Sequence, residues 1–86
     1  MPTLIQSLIA ASGRSPERYR AQIVASNGAS VSDATALNPQ SAAYFAIRGA
    51  LASDPIAACA LAATYLSARD ARAIQLAAAC TYGVQS

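Results

Sequence analysis

Ser15-Pro16-Glu17-Arg18-Tyr19-Arg20-Ala21-Gln22-Ile23-Val24-Ala25-Ser26-Asn27-Gly28 carries the clearest start signal in the chain. Ser15 offers a side-chain acceptor at an N-cap, Pro16 a pre-set φ at the first helical position, and Glu17 a carboxylate beside the positive end of a helix dipole. Tyr19 and Ile23 then share a face at a four-residue step, Arg18 and Gln22 share an adjacent one, and Asn27-Gly28 supplies a stop. The segment reads as a helix, and that reading sets the fold class for its surroundings.

Toward the N-terminus, Thr3-Leu4-Ile5-Gln6 fits a capping box, in which hydroxyl and amide satisfy each other's free backbone N–H groups. Leu4, Leu8 and Ala11, with Ile5 and Ile9, recur at three- and four-residue steps up to Gly13, giving a first helix. Toward the C-terminus, residues 29–37 are ambiguous, with Ser32 able to cap one short turn. Asn38-Pro39 and Asp54-Pro55 open two further helices by the same cap-then-proline logic. Residues 55–66 are apolar on all sides apart from Thr64, as a central, surrounded helix would be. Ser67-Ala68-Arg69-Asp70 offers a weaker capping box for a last helix, which runs to Tyr82 with Gly83 as its stop; one unbroken helix over residues 55–82 is the alternative. The expected fold is a single all-α domain over residues 1–86, a compact bundle of four to five short helices with an Ala-rich core.

The apolar fraction is 55%, but 23 of these residues are alanine, so large side chains are scarce. Charged residues make up 12% and the net charge is +2, which excludes a disordered chain of the high-charge type. Ala42, Ala46 and Gly49 form a strip that permits close backbone approach, and Ala73 with Ala77 forms another. Packing of this kind buries little area at about 25 cal/mol per Å², so a homo-oligomer or a partner is expected to supplement the core.

Acid–base equipment is sparse. There is no His, and the acidic residues are Glu17, Asp33, Asp54 and Asp70, of which several suit helix caps better than catalysis. Cys59 and Cys80 lie in Ala-rich helical pattern and read as buried thiols; without His they cannot close a tetrahedral metal shell. Glycine-rich phosphate loops are absent. The expectation is a non-enzymatic protein with no cofactor and no metal. Residues 1–12 lack the charged start and clean apolar stretch of a secretion signal, and residues 55–68 fall short of the ~20 apolar residues that span a bilayer, so a cytoplasmic protein that does not enter membranes is expected.

Two clusters stand out as candidate binding sites. Arg14, Ser15, Arg18 and Arg20 surround the proposed helix start, where guanidiniums and free N–H groups would converge on an anion. Gln40, Tyr44 and Arg48 are spaced by four on one helix face, and Tyr and Arg are the types enriched at binding hot spots. Residues 23–37, with Gly28 at the turn and Ser32, Asp33 and Thr35 opening a second helix, resemble the helix-turn-helix pattern. That resemblance implies a small nucleic-acid-binding regulator using Arg14, Arg18 and Arg20, although the second helix would present no Arg, Lys, Gln or Asn to bases before Asn38. The favoured reading is a protein–protein interaction module, a small adaptor or inhibitor that occupies a partner protein's surface; a bacterial or phage accessory protein fits the size and the Ala- and Arg-rich coding bias.

Overall fold

The computed structural model describes residues 3–11 and 18–83, and it is a mixed α/β protein. Strands β1 (Thr3–Ala11), β2 (Arg18–Ala25) and β3 (Ser30–Ala36) form an antiparallel meander in the order β1-β2-β3. Helices α1 (Pro39–Ala50), α2 (Pro55–Tyr65) and α3 (Ala68–Tyr82) follow. The expected all-α bundle of four to five helices is therefore overturned: the described parts of the first two expected helices are strands, and among the described residues three helices remain. The expected helix start at Ser15-Pro16-Glu17 and the Gly13 stop lie outside the described residues.

The reason is a periodicity shared by both structures. Residues four apart lie on one helix face, but four is also an even number, so they lie on one strand face too. Arg18-Tyr19-Arg20-Ala21-Gln22-Ile23 alternates polar and apolar without a break, which is the half-buried strand pattern. Ala21 and Ile23 are fully buried, and Tyr19 packs against the same core. A helix would have turned Ala21 away from Tyr19 and Ile23.

Asn27-Gly28 terminates no helix; it turns a hairpin. The Gly28 N–H donates to the Ala25 carbonyl at 2.8 Å and the Ala25 N–H to the Ala29 carbonyl at 2.9 Å. The Asn27 side chain accepts from the Ala29 N–H at 2.9 Å. Gly28 sits at φ 89°, a conformation that a side chain disfavours, and Asn-Gly between apolar runs is among the strongest short-range hairpin signals. Across the hairpin Ala21 pairs with Ala34 and Ile23 with Ser32 on the covered face, while Arg20 pairs with Thr35 and Gln22 with Asp33 on the other.

The three helices start where their caps place them. Asn38, Asp54 and Ser67 accept from the N–H groups of Ser41, Ala57 and Asp70 at 2.8, 3.1 and 3.2 Å. Leu66, with φ −104° and ψ 164°, breaks the chain between α2 and α3, so residues 55–82 form two helices. Gly83, at φ 71°, ends the last one.

Helix α1 lies across β2 and β3, α2 packs against α1 and α3, and α3 rests chiefly on α2. The core is small: its largest fully buried side chains are Ile23, Ile47, Leu51 and Ile74, with Leu61 and alanines filling the rest. Ala42 and Ala46 are fully buried, and a Cβ on Gly49 would stand 2.5 Å from the Ser32 hydroxyl oxygen, so the small-residue strip serves a close approach of α1 to β3. Helix α2 is not central. It buries Ala58, Leu61 and Ala62 but leaves Ile56, Ala60 and Ala63 exposed.

Candidate interaction surface

The stripe Gln40, Tyr44 and Arg48 lies on α1, whose cap and proline fix where its turns fall. Gln40 and Arg48 are exposed, and Tyr44 is half-buried against the core. Its ring meets Phe45 edge-on, with centroids 5.3 Å apart and planes at 77°, a favoured geometry for an aromatic pair. Tyr44 is thus held on a rigid element with its base packed and its edge wet, flanked by an amide and a planar cation.

Of the second sequence cluster, the described residues Arg18 and Arg20 lie on a strand and not in the first turn of a helix. Arg18 opens β2 and Arg20 follows on the same strand, while Arg14 and Ser15 lie outside the described residues. Arg20 is engaged across the sheet with Asp33. Its Nε donates to both Asp33 carboxylate oxygens at 2.9 Å, and its Nη2 makes a further, shorter contact with Oδ2. These hydrogen bonds hold the Asp33 carboxyl below its ordinary range and raise Arg20 above its own. Both side chains remain open to water, so the pair shields a polar sheet face instead of offering a free guanidinium to an anion.

The helix-turn-helix resemblance is corrected by the same hairpin: residues 23–37 run from β2 through the Asn27-Gly28 turn into β3, and no recognition helix follows Gly28. The thiols also differ from expectation. Cys59 is half-buried, with burial pushing its thiol up, and Cys80 is exposed. A raised thiol carries less thiolate at neutral pH and is a poorer nucleophile. Among the described residues, no three His, Cys, Asp or Glu side chains come together. Among the described helices, none is long and apolar enough to cross a membrane.

What the sequence reading missed is the outer surface of the helical layer. Phe45, Ile56, Tyr65, Leu76 and Tyr82 on the helices are all exposed, Ile56 to 72%, as is Leu37 just before α1. The signal was present in the absence of charge from α2: an uncharged helix is central only if neighbours surround it, and this chain has too few elements to do so. No protein-family model, curated protein or solved structure matches the chain.

Proposed function

We propose that this protein is a non-enzymatic interaction module, a small adaptor or inhibitor that acts by covering part of a partner protein with its helical layer. One observation carries the reading: within helices α1–α3 the large apolar side chains left exposed (Phe45, Ile56, Tyr65, Leu76, Tyr82) outnumber those buried (Ile47, Leu61, Ile74). Soluble monomers scatter single apolar residues over their surface, but a layer with more large apolar groups outside than inside suits a contact surface. Gln40, Tyr44 and Arg48 would anchor it, since an aromatic ring held at its base and a planar cation lose little conformational entropy on binding. An exposed free thiol at Cys80 suits a reducing compartment, which supports the reading of a cytoplasmic protein.

Affinity capture of the partner on the immobilised chain, with and without Tyr44→Ala and Arg48→Ala, tests the reading. Capture should fall steeply for the double variant and should hardly respond to salt, as expected of a largely apolar interface. A partner retained equally by both proteins would show that the α1 stripe is not the anchor. Capture of nucleic acid, lost as salt rises, would replace the reading with one based on counterion release.

A further inference from the structure

Among the described residues the sheet order β1-β2-β3 leaves two edges, each presenting backbone N–H and C=O groups on its outer side. The edges are not alike. Strand β3 is polar, carries Asp33 tied to Arg20, and is approached closely by α1 at Ser32. Strand β1, Thr-Leu-Ile-Gln-Ser-Leu-Ile-Ala-Ala, is the longest of the three and contains no charged residue, no Pro and no Gly. It therefore lacks most of the devices that keep edge strands from pairing. Its one irregularity is the register shift between Ile5 and Ser7, beyond which residues 7–11 pair regularly with β2.

We propose that β1 adds to β1 of a second copy of this chain, antiparallel over residues 7–11 and centred on Ile9, so that two sheets become one. The arrangement is self-complementary. An uncharged strand meets itself without like charges facing one another, whereas two β3 edges would bring two Asp33 residues toward the same seam. A β1-to-β3 contact would not close on itself and would grow into an open chain, while β1-to-β1 pairing closes with two-fold symmetry. The register gives the central position meaning: Ile9 pairs with Arg20 in the middle of the regular stretch 7–11, so a two-fold axis there sets it opposite the partner's Ile9. This surface is an edge of the sheet and does not depend on the helical contact layer, so either can fail without the other.

The test is sedimentation equilibrium of the full chain across the micromolar range, together with Ile9→Lys, Ile9→Glu and their equimolar mixture. The unmodified chain should dimerise and stop at the dimer. Each variant alone should associate about fivefold more weakly, because like charges then face each other at the axis. The mixture should recover association through a Lys–Glu pair. Hydrogen exchange on the unmodified chain gives an answer even where a variant fails to fold: amides of residues 7–11 should gain protection with concentration, and those of β3 should not. A chain that stays monomeric, that grows past the dimer, that gains protection in β3, or whose well-folded variants dimerise as before would overturn the proposal.

Discussion

The sheet and the helical layer divide their side chains by different rules. Along β2 and β3 the two faces divide by polarity, with Ser32 the polar exception on the covered side: Ala21 and Ile23 are buried while Arg20, Asp33 and Thr35 are exposed. The helices supply most of the core, yet they also carry Phe45, Ile56, Leu76 and Tyr82 on their outer surfaces. A sheet with one helix layer needs only one apolar face, and the hairpin has no more than that. The helical layer has apolar surface to spare, which is why the interaction reading belongs there and not on the outer face of the sheet.

The largest effects should separate buried positions from their exposed counterparts. Ile23→Ala removes a fully buried side chain at the contact between sheet and helices and should cost about 2–5 kcal/mol, whereas Ile56→Ala should change stability by less than about 0.5 kcal/mol. Ala62→Asp should leave the chain unfolded, since it puts a carboxylate where no partner or water waits; Ala60→Asp, on the opposite side of the same helix, should fold. Urea midpoints for the four variants decide this. Equal losses at Ile23 and Ile56, or at Ala62 and Ala60, would mean that α2 is covered on both sides after all.

A smaller effect concerns how the helices start. Asp54→Ala deletes the acceptor for the Ala57 N–H and should cost about 1 kcal/mol, recovered in large part by Asp54→Asn or Asp54→Ser. Thermal melts of the three variants measure it, and an Ala variant as stable as the original would show that the cap is idle.

These starts were legible in the sequence because Asn38-Pro39 and Asp54-Pro55 act within a few residues: the cap oxygen reaches one N–H, and proline removes a donor that the first turn does not need. The strands were not legible by the same means. Tyr19 and Ile23 are four apart and satisfy both periods, so the step that looked helical carried no discrimination there, and in β1 the register shift between Ile5 and Ser7 breaks the strand alternation. Ala21, two residues from each of its apolar neighbours, did discriminate, and so did Asn27-Gly28, but a glycine that ends a helix and one that turns a hairpin both take positive φ. Of the candidate sites, the Gln40-Tyr44-Arg48 stripe could be placed from sequence because α1 begins where its cap says, while the arginine cluster depended on a helix that β2 replaces.

The join between sheet and helices offers a finer measurement. A Cβ at Gly49 would press on the Ser32 hydroxyl oxygen but would stand at an ordinary 3.6 Å from the Ser32 Cβ. Gly49→Ala should gain up to about 1 kcal/mol in helix propensity, offset in part by displacement of that hydroxyl. In the Ser32→Ala background the offset disappears, so the double-mutant cycle should show a favourable coupling of about 0.5 kcal/mol. Strict additivity would mean that α1 and β3 are further apart than the geometry gives.

The smallest expected effect lies on the exposed face of the sheet. Asp33 has its carboxyl lowered from 3.8, first by hydrogen bonds from Arg20, so the folded protein holds the ionised form more tightly than the unfolded chain does. A depressed carboxyl contributes stability that is fully present above the unfolded value, and the contribution fades as pH falls through the folded one. Arg20, raised above its ordinary value by the same contact, stays charged throughout and adds no slope in this range. Acid titration of the melting temperature should therefore show a shallow decline beginning just above pH 4, and Asp33→Asn should flatten that part of the profile without changing it near neutrality. Because both side chains are open to solvent, with exposures of 44% and 39%, added salt should weaken the difference further. Profiles of the original chain and Asp33→Asn that superimpose at low salt would mean that the pair, though formed, orders the β2–β3 surface without stabilising the fold.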